Sequence, residues 1–143
     1  MDDIRVEEKF YVGGQPKRLR HFLKDDPNPI LVKEWYQNGQ MMYELVINNK
    51  ITEVKHWYED GVLNTESKSE IVNISGILQS RNIFIKFYYP NGKIAEETIS
   101  YNQPSYYDEK GNNISEKEYK SSVFYKNSNI NIHPTFKTII TNN

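Results

Sequence analysis

Three observations predict an all-β fold, a single curved antiparallel sheet of repeated β-hairpins. The stretch EWYQNGQM (residues 34–41) returns as HWYEDGVL (56–63) and again as FYYPNGKI (87–94). Each copy carries Asn-Gly or Asp-Gly between strand-forming residues, the strongest short-range hairpin signal, because Gly accepts positive φ without steric penalty. The chain is also rich in strand-forming aromatics, with 11 Tyr, 6 Phe and 2 Trp against 3 Met.

The elements follow from the turn glycines Gly14, Gly39, Gly61, Gly92 and Gly111, spaced by 25, 22, 31 and 19 residues. Four residues before each stands an aromatic: Phe10, Trp35, Trp57, Tyr88 and Tyr107. Three before stand Tyr11, Tyr36, Tyr58 and Tyr89, with Asp108 in the fifth copy, and two after the middle glycines stand Met41, Leu63 and Ile94. Self-similarity at this period marks a repeat architecture. The 143 residues read as one domain with repeat units at about 5–25, 30–50, 51–70, 82–102 and 103–118 and a C-terminal cap at 119–143. The long spacing places about nine extra residues in IVNISGILQS (71–80), read as an additional strand or a loop.

Pro90 selects the turn. In a two-residue loop it would sit in the closing pair, where a ladder N–H is wanted. At the second position of a type I turn its fixed φ fits, and Gly92 then supplies the left-handed bulge residue of a three-residue loop. That register sets Trp35 opposite Met41, Trp57 opposite Leu63 and Tyr88 opposite Ile94, favourable aromatic–aliphatic pairs. It puts Lys33, Lys55 and Lys86 on the Trp face, and Tyr36, Tyr58 and Tyr89 on the other, followed further along by Glu44, Glu66 and Glu97. INNKI (47–51) reads as a return turn, giving a meander of about ten strands, one hairpin per repeat. The Trp35, Trp57 and Tyr88 column is expected to form the packed face.

At the ends, Asp25-Asp26-Pro27-Asn28-Pro29 reads as a connector in which two prolines oppose a strand. Ser115-Glu116-Lys117-Glu118 fits a capping box, so residues 116–126 form either a short helix across the open end of the sheet or further strand. The tail NIHPTFKTIITNN has strand-like residues and no periodic frame.

Composition narrows the function. With 18 basic and 19 acidic residues, no broad pull toward nucleic acid or acidic lipid is encoded. The absence of Cys removes disulfides, thiol nucleophiles and thiolate metal sites. No signal-peptide core and no membrane-length apolar run is present, so the cytoplasm is the expected location. No esterase, zinc-protease, phosphate-loop or dinucleotide motif occurs. His21, His56 and His133 lack ligand spacing, and His56 reads as an ordinary strand residue. The expectation is a non-enzyme with no cofactor, no metal and no catalytic residue.

WYQNGQM, WYEDGVL and YYPNGKI in repeats of about 22 residues resemble the MORN repeat family, and are most similar to its bacterial variant form, the YwqK-like antitoxin family. The resemblance covers roughly residues 5–118, with FYVGGQP and YDEKGNN as degenerate first and fifth copies. It implies a sheet of hairpins and a non-catalytic binding role, in the variant form neutralisation of a partner toxin. The mechanism expected here is occlusion, a rigid aromatic sheet face covering the partner's active site or substrate groove. Standard MORN repeats carry a Gly-x-Gly element and are linked to membrane lipids. This chain has 7 Gly and no Gly-x-Gly, which disfavours membrane association. The expected partner is another protein, not nucleic acid. The expected partner-binding residues are Tyr36, Tyr58 and Tyr89, which combine apolar area with a polar tip, with Glu44, Glu66 and Glu97. A solvated, structural Tyr ladder is the competing reading of that column. Other binding readings are a MORN-type scaffold or membrane-peripheral adaptor, and a sugar-binding sheet using stacked aromatics.

Overall fold

The computed structural model describes residues 3–131. Ten strands follow one another in sequence and in space: β1 (Ile4–Phe10), β2 (Pro16–Leu23), β3 (Pro29–Trp35), β4 (Met41–Asn48), β5 (Ile51–Trp57), β6 (Leu63–Ile74), β7 (Ile77–Tyr88), β8 (Ile94–Ile99), β9 (Ser105–Tyr107) and β10 (Asn113–Ile114). Each pairs antiparallel with the next, giving one open sheet with β1 and β10 at its edges. The helices α1 (Glu116–Lys120) and α2 (Val123–Asn131) follow.

The hairpins are built as their turn residues require. The Gly39 amide donates to the Tyr36 carbonyl at 3.0 Å and the Tyr36 amide to the Gln40 carbonyl at 2.9 Å, closing a three-residue loop. The same pair of bonds joins Gly92 with Tyr89 at 2.9 Å and Tyr89 with Lys93 at 2.8 Å, so Pro90 occupies a loop position that donates no ladder bond. Gly39 and Gly92 have φ of 88° and 87°, the left-handed region that a side chain penalises. Asn49, with φ of 56°, makes the return turn between β4 and β5. Pro29 corrects the connector: it opens β3, and it is tolerated there because it sits at a register shift opposite Phe22.

Trp35 pairs with Met41, Trp57 with Leu63 and Tyr88 with Ile94, as the turn type dictates. One step further the ladder shifts. Glu34 faces Tyr43, His56 faces Thr65 and Phe87 faces Glu96, so Met42, Asn64 and Ala95 are each one residue in excess. An inserted residue reverses the in–out alternation of everything beyond it. This overturns two expectations. Glu44, Glu66 and Glu97 do not share the face of Tyr36, Tyr58 and Tyr89; they lie on the Trp face, opposite the lysines. Nor is the Trp column the packed one. Trp35, Trp57 and Tyr88 are half-buried, whereas the other face holds the buried Tyr43, Leu45, Val54, His56, Thr65 and Ser67.

The core therefore lies on the face opposite Trp35 and Trp57. Tyr43 and Val54 are each only 1% exposed and pack with Leu45, with Val32, Met42, Ile85 and Phe87 around them. A second cluster, Tyr89, Ala95, Tyr106 and Tyr119, lies where the helices cover the last strands. Ser115 caps α1 by accepting from the Glu118 amide at 3.1 Å. Tyr119 stacks on Tyr106 with ring centroids 4.9 Å apart, and Phe124 of α2 meets Tyr89 at 4.5 Å. The helical reading of 116–126 holds, as two helices broken at Ser121–Ser122 that cover a face of the sheet near β9. The predicted cap beyond Asn131, with His133, lies outside the described residues.

Residues 71–80 are neither a separate strand nor a loop. They lengthen β6 and β7 to 12 residues each and end in a tight turn at Ser75-Gly76, with φ of 53° and 84°.

Candidate functional site

The repeated tyrosines form a spine along the turns. Tyr11 donates its hydroxyl to the Trp35 carbonyl at 2.7 Å, Tyr36 to Trp57 at 2.6 Å, Tyr58 to Tyr88 at 2.7 Å and Tyr89 to Tyr107 at 2.5 Å. Each repeat thus bonds to the backbone of the aromatic that opens the next turn. Burial raises the Tyr58 hydroxyl to about 12, with Asp60 nearby adding to the shift. Tyr36 and Tyr89 are shifted upward too, by burial first, then by Glu59 and by Glu109 with Asp108 respectively. The hydroxyls therefore remain protonated donors. The fifth copy has Asp108 in place of Tyr, and its carboxylate accepts from the amides of Lys110 and Asn112 at 3.0 and 2.8 Å, capping its own turn. Those bonds, the Asn112 amide first, hold its pKa below the ordinary value.

Turn asparagines add a second link between repeats. Asn38 Nδ2 donates to the Glu59 carbonyl at 2.9 Å and Asn91 Nδ2 to the Glu109 carbonyl at 2.8 Å. Their Oδ1 atoms accept from the amides of Gln40 and Lys93 in their own turns, both at 2.9 Å. Asp60 has only oxygens to offer and makes the intraturn bond alone, to the Val62 amide at 3.0 Å.

On the opposite face the charges form a row of alternating sign. Lys33, Glu44, Lys55, Glu66, Lys86 and Glu97 are successive cross-strand neighbours from β3 to β8. Lys33 Nζ lies 3.8 Å from Glu44, Lys86 Nζ lies 3.6 Å from Glu97, and Tyr88 donates to Glu66 at 2.6 Å. Burial, and then that bond to Glu66, push the Tyr88 hydroxyl upward. Opposite charges placed across strands stabilise a pairing, and a one-residue slip would break the whole row. Beside it runs an apolar row of half-buried pairs: Trp35 with Met41, Trp57 with Leu63 and Tyr88 with Ile94.

The six residues predicted to bind a partner are therefore divided. Tyr36 and Tyr58 are half-buried and Tyr89 is buried, with all three hydroxyls spent on the backbone. Glu44, Glu66 and Glu97 belong to the charge row on the other face.

Sequence reading also missed Glu96. It pairs with Phe87 and Tyr106 on the core face, and burial raises its carboxyl above the ordinary value, Glu116 adding to the shift while Lys120 and the Tyr119 hydroxyl oppose it. The available signal was its position four residues after a turn glycine, shared with Tyr43 and Thr65.

His56 is buried in β5 with its ring edge-on to Tyr43 at 6.4 Å, and His21 lies in β2. Among the described residues no group of three or more His, Asp or Glu is placed to hold a metal ion. Asp26 accepts from the Asn28 amide at 2.9 Å, a turn contact. No described helix is long and apolar enough to cross a membrane. Neither a protein-family model nor a curated protein matches this sequence.

Proposed function

We propose that this chain is a non-catalytic protein-binding module of the MORN-variant kind, which neutralises a toxic partner by covering its working surface. The observation that supports this reading is the half-exposed apolar row Trp35, Met41, Trp57, Leu63, Tyr88 and Ile94, bordered by the ordered charge row. Trp and Tyr are favoured at interface centres, where they fill pockets, and a fixed pattern of charge selects the partner and its orientation. The tyrosine spine holds neighbouring repeats together, so little ordering cost falls on association. The binding surface is thus assigned to the Trp face, with Glu44, Glu66 and Glu97 as its acidic members. The tyrosines are its scaffold.

Co-expression with the products of adjacent open reading frames tests this. A neighbour that arrests growth alone, is tolerated with this chain and co-purifies with it is the expected result. Trp57→Ala should weaken that complex by about 2 kcal/mol or more, as expected for a central aromatic anchor. Tyr58→Phe should leave it nearly intact. Folded variants giving the reverse order would move the site to the Tyr face.

A further inference from the structure

The β6–β7 hairpin extends past the rest of the sheet. Its neighbour β5 ends its pairing at Ile51 opposite Glu70, and β8 ends at Ile99 opposite Phe84. The last bonds to those neighbours are from the Ile71 amide to the Lys50 carbonyl and from the Ser100 amide to the Ile83 carbonyl, each 2.8 Å. Beyond them the ribbon continues as two strands, Ile71 facing Ser80, Val72 facing Gln79, Asn73 facing Leu78 and Ile74 facing Ile77. Among the described residues, no strand pairs with the outer edge of β7 from Ile77 to Asn82.

Two properties make this edge unusual. An isolated two-stranded ribbon is marginally stable in water, and a third strand is what ordinarily secures it. Residues 71–80 also carry no charge, while Ile74, Ile77 and Leu78 are 49, 62 and 65% exposed. Proteins guard open edges with charged side chains. The other long edge follows that rule, since β1 has Arg5, Glu7, Glu8 and Lys9 among its 7 residues. The β7 edge from Ile77 to Asn82 carries one charge, Arg81, and Glu70 on the adjacent strand engages it.

We propose that the outer edge of β7 from Ile77 to Asn82 pairs antiparallel with the same segment of a second copy, joining two β6–β7 ribbons into one four-stranded sheet. The segment suits itself as a partner. A two-fold axis through Gln79 sets Gln79 opposite its own copy, Leu78 opposite Ser80 and Ile77 opposite Arg81, pairs of like orientation as an antiparallel ladder requires. No like charges meet, and the single charge, Arg81, is already answered by Glu70 on the adjacent strand. Tyr101, 79% exposed, follows the point where β8 leaves the edge, beside the place where the tip of the second ribbon would arrive. Mutual pairing supplies each ribbon with its missing third strand and removes aliphatic surface from water. A lipid surface is the less suitable occupant, because the Glu70–Arg81 pair at the ribbon base is neutral and gives no basic collar. This proposal does not rest on the reading of the Trp face.

Sedimentation velocity of the full chain across the micromolar range tests it, and a dimer is expected. Gln79 is exposed, so a charge there leaves the fold intact, which circular dichroism verifies. Gln79→Lys opposes like charges across the axis and should yield a monomer. An equimolar mixture of the Gln79→Lys and Gln79→Glu variants opposes unlike charges across the axis and should restore the dimer. A monomeric unmodified chain overturns the proposal. So does a dimer that survives the lysine substitution, or a mixture of the two variants that stays monomeric.

Discussion

The Tyr58 hydroxyl shows how one atom joins two repeats. It donates to the Tyr88 carbonyl, 30 residues away. Tyr58→Phe keeps the ring and removes the donor, and should cost about 1 kcal/mol in urea denaturation, the net value of one such bond. The same hydroxyl gives a pH dependence. Its ordinary value of 10.0 rises to about 12 in the folded chain, so the folded state holds the proton more tightly. The stabilisation is therefore complete below 10.0 and is lost as pH climbs toward about 12. The Phe variant should show a shallower loss of stability across that interval. Burial ranks the larger substitutions. Tyr43→Ala, at a side chain 1% exposed, should cost roughly 3–5 kcal/mol. Trp57→Ala, at a half-buried ring, should cost less than half as much. Equal losses would mean that the Trp face is covered as fully as the Tyr43 face.

At the scale of elements, the hairpins were legible because their constraints are local. Asn-Gly, Asp-Gly and Pro90 determine backbone angles within a few residues, and the loops form as those angles demand. The bulges at Met42, Asn64 and Ala95 were not legible, because no Gly or Pro marks them. The helix signal was again local. Ser115 and Glu118 stand three apart, and the cap bond forms between them. Ser115→Ala should cost about 1 kcal/mol, typical of a lost N-cap. Because α1 carries Tyr119 onto Tyr106, the loss should appear in global unfolding as well as in helix content. Unchanged global stability would mean that the helix frays independently of the sheet.

At the scale of the whole molecule, the repeats are interchangeable only if their links match. Deleting residues 40–61 removes one period of 22 residues and fuses Gly39 to Val62. Every link then finds an equivalent. Trp35 meets Leu63, Lys33 meets Glu66, and the Tyr36 hydroxyl meets the Tyr88 carbonyl in place of Trp57. The product should be folded and sheet-rich with a lower urea midpoint, since stability in such arrays sums over neighbouring units. Deleting 21 or 23 residues from the same place reverses the alternation and should give a much less stable chain, or an unfolded one. Similar denaturation midpoints for all three deletions would refute the role given to register.

What the sequence determined by itself was the all-β class, the hairpin positions, the turn type and the aromatic–aliphatic pairs beside each turn. These follow from backbone angles and side-chain alternation over a handful of residues. Only the tertiary structure decided which face is buried, where the glutamates lie, what the tyrosine hydroxyls hold and how far β6 and β7 extend. Each of these depends on a partner in another strand or another repeat. A single inserted residue per hairpin, set by the fit between strands, moved Glu44, Glu66 and Glu97 from one face to the other. Local chemistry therefore wrote the repeat, and long-range hydrogen bonding chose its two surfaces.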